Sequence, residues 1–316
     1  MMVRFVLAFV MLVGCVTAQT PDAAPAAAAE TVDADKPLPA IDSLLLDVEK
    51  NEDTAEKMQR DYTYHVHAEQ EELDGKGAAK KTTITDSESL TIDGVRVDRV
   101  VARDGKPLTP EEAKKESDKI DKEVARQKER RAKALSSGKT TDANGDEELT
   151  VSRILQLGTF NNPRRVMLND RSTIVADYTG DPHAKTKNRI ETAFRDLVGT
   201  VWIDEQDRAL VQLQGHFLND FKIGGGLIAD VKKDSSFHAK MTKINGEVWL
   251  PEERGGEGKV RVLLFAGFNG RVKVVTSDYK KFRASATIVG GGQVVGDDGK
   301  PVPETPATPA PDKAKP

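Results

Sequence analysis

The alternation of apolar and polar residues predicts one helix followed by a run of strands. In residues 39–61 the large apolar residues recur at helical spacing, at Ile41, Leu44, Leu45 and Val48. This spacing indicates an amphipathic helix that packs on a sheet. From residue 62 to residue 69 the period is two, which is typical of a half-buried strand.

The period stays near two over much of the remaining chain. Residues 80–93 and 95–103 are strand candidates, and Asp93-Gly94 between them is a hairpin turn signal. Further strands are predicted at residues 165–168, 173–178, 199–203, 209–218, 236–244, 247–250, 259–268 and 271–282. Asn245-Gly246 and Asn269-Gly270 are predicted to form the tight turns of two more hairpins.

Helical patterns interrupt these strands. Thr109, Pro110 and Glu112 are the capping residue, first-turn proline and acid of a predicted helix start. Up to residue 133, Ile120 and Val124 are the only large apolar residues of this helix. We therefore expect it to face solvent and either to project from the domain or to fray. Residues 109–146 form a predicted charged helical insertion, and shorter helices are predicted at residues 147–159 and 187–197.

Together these elements predict an α+β fold. About ten antiparallel strands and a few helices are segregated along the chain. A sheet of that many strands has to curl. We therefore predict a curved, mostly antiparallel sheet, an open half-barrel, with helices packed on the concave side. This domain is assigned to residues 40–283.

Residues 1–18 are predicted to be a secretory signal peptide. Arg4 precedes an apolar stretch, and small residues follow it. Two processing sites remain open, because residues 12–15 resemble a lipobox that would lipidate Cys15, whereas residues 16–18 resemble a signal peptidase I site. Export predicts a location in the periplasm, or on a membrane that faces the periplasm if Cys15 carries lipid.

The two ends of the mature chain have the composition of disordered segments. Residues 19–39 are predicted to be a linker and residues 284–316 a Pro-rich tail, because they contain too few large apolar residues to offset chain entropy.

Composition and charge exclude some classes of function. The chain has 38% hydrophobic residues, 31% charged residues and a formal net charge of -4, so it is neither a multispan membrane protein nor a strongly basic nucleic-acid binder. Cys15 is its single cysteine, so no disulfide can form within the chain and no catalytic cysteine is expected.

No pattern in the sequence indicates catalysis, a cofactor or a metal. His65 and His67 share one face of a predicted strand, but no obvious third ligand accompanies them, so no metal site is predicted. The glycine triplets at residues 224–226 and 290–292 lack the Lys-Ser/Thr of a phosphate loop. We expect a protein that is not an enzyme, carries no cofactor and binds no nucleic acid.

Three segments of the chain resemble outer-membrane lipoprotein-sorting proteins. They are residues 199–204 continued by residues 207–213, residues 248–251 and residues 277–282. The first segment resembles the G-x-[LV]-W-[IV]-D hairpin of that family. The resemblance covers residues 40–283 and implies a curved antiparallel sheet wrapped round helices. It also implies that the hollow holds acyl chains without transforming them.

Under this resemblance, alternating sheet residues are candidates to line the hollow. They are Tyr64, Val66, Trp202, Leu213, Phe217, Leu264 and Phe268. The alternative for each is a place in a filled core. A flexible loop beside Lys232 and Lys233 is a candidate membrane contact or gate, and the alternative is a hairpin loop folded over the core. Its residues are Ile223, Gly224, Gly225, Gly226 and Leu227.

Two functions follow as hypotheses. The first is non-enzymatic binding of lipid or lipoprotein acyl chains in the bacterial cell envelope, as in lipoprotein sorting, with membrane association through Cys15. The second is a structural or adaptor envelope protein whose polar helix and Pro-rich tail recruit protein partners. The first hypothesis predicts an apolar cavity under the sheet, and the second predicts a filled core.

Overall fold

The computed structural model describes residues 36–74, 76–136, 150–187, 189–223, 229–262, 266–282, 286–289 and 293–296. The predicted signal peptide with Cys15, most of the predicted linker and the last part of the predicted tail lie outside these residues. Within the described chain, the helices are α1 (Ile41–Arg60), α2 (Pro110–Ser136), α3 (Val151–Ile154) and α4 (Arg189–Arg195).

The strands follow the alternating segments of the sequence. They are β1 (Tyr62–Leu73), β2 (Ala79–Ile92), β3 (Val95–Arg103), β4 (Lys106–Pro107), β5 (Gly158–Leu168), β6 (Arg171–Gly180), β7 (Leu197–Asp204), β8 (Ala209–Phe217), β9 (Phe221–Ile223), β10 (Ala229–Val231), β11 (Ser236–Ile244), β12 (Val248–Val262), β13 (Ala266–Lys281), β14 (Ala286–Val289) and β15 (Gln293–Gly296).

Thirteen of the described strands form one antiparallel sheet. Its order is β4-β3-β2-β1-β13-β12-β11-β8-β7-β6-β5, and β10 pairs with both β12 and β9. Among these strands β4 and β5 are the two edges, so the sheet is open and curves as a half-barrel. The predicted α+β fold class is confirmed. β14 and β15 form a separate hairpin within the segment predicted to be a disordered tail.

Two of the tight turns predicted at Asp-Gly or Asn-Gly pairs are confirmed, and one is wrong. Asp93-Gly94 and Asn245-Gly246 have positive φ angles of 49°, 76°, 52° and 69° and join their strands as predicted. Asn269-Gly270 is not a turn, because both residues lie inside β13 and pair with β12. The side-chain amide of Asn269 instead donates to the carbonyl oxygens of Leu73 and Asp74, at the end of β1.

Helix α1 fills the main core. Its stripe of Leu44, Leu45 and Val48 is buried against one face of β6, β7, β8 and β11. The short helices α3 and α4 enter the same core, through Val151 and Ile154 on the first and Ala193 and Phe194 on the second. Along its length α1 reaches from the β7–β8 turn, where Asn51 donates to Asp207 O at 3.3 Å, to β12, where Gln59 donates to Trp249 O at 2.7 Å.

The charged helix α2 packs on the sheet along its apolar stripe. Ile120 and Val124 are buried against Leu90, Val95 and Val97 of β2 and β3. Strand pairing places Leu90 and Val97 on the face opposite Tyr64, Ser89 and Asp98. Two apolar residues one turn apart are thus sufficient to seat the helix, while its other faces carry the charges in solvent.

The buried Glu116 of α2 completes this contact at the sheet edge. Its carboxylate accepts a hydrogen bond of 3.4 Å from the backbone N–H of Val100, on β3. It also lies 3.3 Å from the ammonium group of Lys119. Because β4 pairs only with Ala102 and Arg103, the rest of β3 has no other strand partner on that side among the described strands, and Glu116 covers one of its N–H groups.

Replacing Leu45 tests the contact between α1 and the sheet. Leu45 is 0% exposed, so we expect Leu45→Ala to lower the free energy of unfolding by about 2–5 kcal/mol through lost burial and a residual cavity. Leu38→Ala is the matched control, because Leu38 is 42% exposed, and it should change stability by less than about 0.5 kcal/mol. Urea denaturation gives both values. Equal effects of the two substitutions would contradict the packing described.

Candidate functional site

Four of the candidate lining residues fall into two separate clusters. Leu213 and Phe217 lie in the main core with α1, α3 and α4. Tyr64 and Val66 lie in a second cluster with Val248, Leu250 and Val274. The four residues therefore belong to two separate groups of packed side chains.

Trp202 lies on the other face of the sheet from Leu213. Leu213 pairs with Val201, and Trp202 pairs with Gln212, so alternation places Trp202 away from the main core. Trp202 is half-buried, whereas Val201 and Ile203 on either side of it are buried.

The other predicted positions fall partly or wholly outside the described structure. Leu264, Gly224, Gly225, Gly226, Leu227 and Cys15 lie outside the described residues. Phe268 and Ile223 have backbone positions in β13 and β9, and their side chains are not described.

The hollow beneath the sheet is filled by the protein's own helices. A cavity of about 40 Å³ remains there. It is lined by Ile154, Phe160, Tyr178, Phe194, Leu197, Gly199, Thr200, Val201, Leu213, Gln214 and Phe237. A space of this size is enough for one or a few water molecules. It is too small for an acyl chain unless α3 or α4 moves.

A buried ion pair holds the two short helices over this cavity. The guanidinium of Arg153 on α3 donates to both carboxylate oxygens of Glu191 on α4, each at 2.8 Å. Arg153 lowers the pKa of Glu191, because the charged carboxylate is the form that accepts these bonds. Nearby, the hydroxyl of Tyr178 donates to the carbonyl of Phe194, and burial raises the pKa of Tyr178.

An open groove of about 260 Å³ lies along the C-terminal half of α1, where the helix face that carries Val48 continues toward Gln59. We call it the α1 groove. Helix α1 forms one wall, and the turns of the β7–β8 and β11–β12 hairpins form the other. Its residues are Val48, Asn51, Glu52, Thr54, Ala55, Met58, Gln59, Asp207, Arg208, Ala209, Leu210, Glu247, Val248 and Trp249. Its lining is mostly apolar, and Met58 is 39% exposed at its edge.

Asp207 organises the hairpin wall of the groove. Its carboxylate accepts from the indole N–H of Trp249 at 2.8 Å and from Lys243 at 2.6 Å, and it lies 2.9 Å from Arg171. Burial acts to raise the pKa of Asp207, but these three donors hold it below its ordinary value. The indole of Trp249 is thereby held in one orientation beside α1.

The turn that carries Asp207 is built by the neighbouring Asp204. Asp204 is 1% exposed. Its two carboxylate oxygens accept hydrogen bonds from Nε and Nη2 of Arg171, at 2.5 and 2.8 Å. The same carboxylate accepts from the backbone N–H groups of Gln206 and Asp207 at 3.1 and 2.7 Å. This side-chain cap fixes the turn as an aspartate commonly does.

The turn ends in a strained residue that lines the groove. Arg208 has a φ of 50°, in the left-handed region that favours glycine or asparagine. In the described part of the chain its guanidinium has no ion pair or hydrogen bond, in contrast to Arg171. Arg208 therefore presents a positive charge, half-buried, at the edge of an apolar surface.

A second ion pair anchors the chain that leads into α1. Arg165 donates to Glu205 at 2.9 and 3.1 Å and to the carbonyl oxygens of Lys36 and Pro37 at 2.7 and 3.0 Å. The Arg165 guanidinium, with help from Lys36 and Ser172 and against the effect of burial, lowers the pKa of Glu205 to about 2. The β7–β8 turn therefore contacts α1 at Asn51 and, through Arg165, holds the chain that leads into the helix.

Within the described residues no group of three His, Cys, Asp or Glu side chains is arranged to hold a metal ion. His67 bonds Asp86 at 2.8 Å, and this hydrogen bond raises its pKa. In the same part of the chain, none of the helices has the length and apolarity needed to cross a membrane.

Sequence reasoning did not predict the α1 groove, although a signal for it was present. Asp204, Asp207 and Trp249 all belong to the segments that resemble lipoprotein-sorting proteins. Those segments predicted hairpins, and the structure places the ends of the hairpins beside α1.

No family model matches the sequence, and no curated protein matches it significantly. Several solved structures are similar in fold. An outer membrane lipoprotein-sorting protein domain from Vibrio parahaemolyticus is 9% identical, with 77% of this chain and 94% of that chain covered and a TM-score of 0.35. A LolA superfamily protein from Nitrosomonas europaea is 9% identical, with coverages of 78% and 94% and a TM-score of 0.25. The first carries the family description that the sequence motifs resemble.

A chain of the MucA/MucB complex of Pseudomonas aeruginosa is also similar. It is 10% identical, with 75% of this chain and 100% of that chain covered and a TM-score of 0.21.

The ion pair between Arg165 and Glu205 predicts that the free energy of unfolding falls in acid. A carboxyl with a pKa of about 2 in the folded protein and an ordinary value of 4.5 stabilises the fold above about pH 4.5. This contribution is lost as the pH falls from about 4.5 toward about 2. Glu205→Gln should therefore be less stable than the wild type near neutral pH, and the difference should shrink through that window.

Urea unfolding at several pH values measures this difference. Glu111→Gln is the control, because the Glu111 carboxylate is 79% exposed. If the difference in unfolding free energy between wild type and Glu205→Gln does not depend on pH, the proposed role of Glu205 is wrong.

Proposed function

We propose that this protein is a non-enzymatic adaptor of the bacterial cell envelope, which fills its own hollow and binds a partner protein through the α1 groove. The observation that supports this proposal is the difference in volume between the hollow under the sheet and the α1 groove. The hollow retains about 40 Å³, whereas the groove offers about 260 Å³ at the surface. An apolar groove with an ordered indole wall suits an apolar segment of a partner.

The envelope location rests on the sequence. Residues 1–18 have the charged start, apolar stretch and small residues of a secretory signal. Lipidation at Cys15 would tether the domain to a membrane through the linker, and cleavage after residue 18 would release it into the periplasm.

Binding of a lipid or lipoprotein acyl chain is a second candidate, and the lining of the hollow favours it. The side chains around the small cavity are mainly aliphatic and aromatic. The space is bordered by α3 and α4, of 4 and 7 residues, which are joined by the bidentate ion pair between Arg153 and Glu191. If these helices swung out, the hollow would become an apolar site.

Native mass spectrometry of the periplasmically expressed protein separates the two candidates. We expect the mass of the polypeptide alone, with no stoichiometric acyl lipid in an organic extract. Phe194→Ala sharpens the test, because it enlarges the hollow at a residue that is 5% exposed. For an adaptor, this variant should lose about 3–5 kcal/mol of stability and still carry no lipid. One lipid per chain, with more in Phe194→Ala, would establish the second candidate instead.

Photo-crosslinking tests the groove in cells. A photoreactive amino acid at Met58, which lines the groove, should give a discrete protein adduct in the periplasm. The matched control is Leu218, which is 46% exposed, comparable to Met58, and is not among the groove residues. Adducts of equal yield from both positions, or none from Met58, would count against the proposal.

A further inference from the structure

Arg208 occupies a backbone conformation that the chain otherwise reserves for short polar residues. In the described part of the chain, Arg208 is one of nine residues other than glycine with a positive φ. The other eight are all Asp or Asn, namely Asp93, Asp104, Asn162, Asn169, Asp170, Asp234, Asn245 and Asp278. Asp and Asn tolerate this conformation, whereas an arginine is strained in it. Because Asp or Asn would suit the turn better, the arginine points to a role for its side chain.

The β7–β8 turn holds this residue beside α1. The backbone N–H of Arg208 donates to the carbonyl of Asp204 at 3.0 Å. The carbonyl of the preceding Asp207 accepts from the side-chain amide of Asn51, on α1, at 3.3 Å. Arg208 and the following Ala209 both line the α1 groove. The guanidinium is thus carried by a turn that is bonded to the helix wall of the groove.

The carboxylates that line the groove all have partners. They belong to Glu52, Asp207 and Glu247. Lys243 donates to Asp207 at 2.6 Å, and Lys281 donates to Glu247 at 2.6 Å. Glu52 also has an interaction partner. These acids therefore need no cation from a molecule that enters the groove.

Arg208 is the charged groove residue without an ion pair or hydrogen bond in the described structure. Its half-buried guanidinium offers N–H donors in a planar fork that matches a carboxylate. An apolar segment that fills the groove would cover this cation, and a covered charge without a partner is costly. The molecule that fills the groove therefore has to bring an anionic acceptor with it.

We infer that Arg208 selects the partner of the α1 groove, which is an apolar protein segment that carries a carboxylate beside its apolar residues. This inference rests on the proposed function, because it names the chemistry of the partner that the groove binds. The apolar residues of the segment lie along the α1 wall, which is about 16 Å long from Val48 to Gln59. The carboxylate pairs with Arg208 on the hairpin wall.

Photo-crosslinking from Met58 in cells tests the role of the guanidinium. Arg208→Asn removes the guanidinium and introduces a residue that tolerates this φ. We expect the yield of the Met58 protein adduct to fall about tenfold, because hydrogen bonds to a charged group are lost. An equal yield in Arg208→Asn and in the protein with Arg208 would overturn the inference.

A matched control moves the charge within the same turn. Gln206→Arg combined with Arg208→Asn returns one cation to the turn at Gln206, which is exposed and is not among the groove residues. This double variant should give as little adduct as Arg208→Asn alone. Full recovery of the adduct would show that the charge of the turn is sufficient, and it would overturn the selection by Arg208.

Urea unfolding separates recognition from a role in folding. Arg208→Asn should unfold at the same urea concentration as the wild type or at a higher one, because it relieves the strained backbone. A lower unfolding midpoint would assign the arginine to the stability of the turn and would contradict the inference.

Charge exchange tests the carboxylate of the partner. Mass spectrometry of the Met58 adduct identifies the crosslinked segment, which should contain an Asp or Glu close to the crosslinked residue. Arg208→Glu should abolish the adduct, and replacing that acid of the partner with lysine should restore it. A segment without an acid, or no restoration by the exchange, would refute the inference.

These outcomes are distinguishable from a failure of the proposed function. If Met58 gives no protein adduct in the wild-type background, the adaptor proposal and this inference are both wrong. If the adduct forms and is unchanged in Arg208→Asn, the adaptor proposal stands and only the selection by Arg208 is wrong.

Discussion

The burial of one apolar stripe of α1 against an open sheet is the contact on which the rest of the structure depends. An antiparallel sheet commonly has one face packed on the core, and Leu44, Leu45 and Val48 cover that face over β6, β7, β8 and β11. The same face of α1 continues from Val48 to Gln59, where the hairpin turns lie beside it and leave an open space. The helix face that covers the sheet therefore also forms one wall of the groove.

Charge pairs set the details of that groove. Asp204 and Arg171 shape one turn, and Asp207 then fixes the indole of Trp249. Such bidentate, largely buried pairs restrict geometry more than they add stability, because desolvation offsets much of their attraction. Their effect here is to hold an apolar wall in place and to present Arg208 in a conformation that an arginine seldom adopts.

Some elements of the fold were predictable from local sequence pattern, and others were not. The alternation in residues 62–69, the capped start of α2 and the Asp93-Gly94 turn were each predictable, because they depend on neighbours in sequence. The turn predicted at Asn269-Gly270 was wrong. The dipeptide lies within β13, where the side-chain amide of Asn269 donates to the carbonyl oxygen of Leu73. Trp202 was a candidate for the hollow, yet the register with β8 places it on the opposite face from Leu213.

The sequence by itself determined the element types and the antiparallel character, because periodicity and turn residues are local properties, and the composition of residues 1–18 predicts export. Tertiary structure alone decided that α3 and α4 fill the hollow and that α2 lies flat on β3 instead of projecting. It also brought residues 48–59, 207–210 and 247–249 together as one groove. Those outcomes depend on which faces meet across separations from about 20 to about 200 residues, and no local pattern encodes that choice.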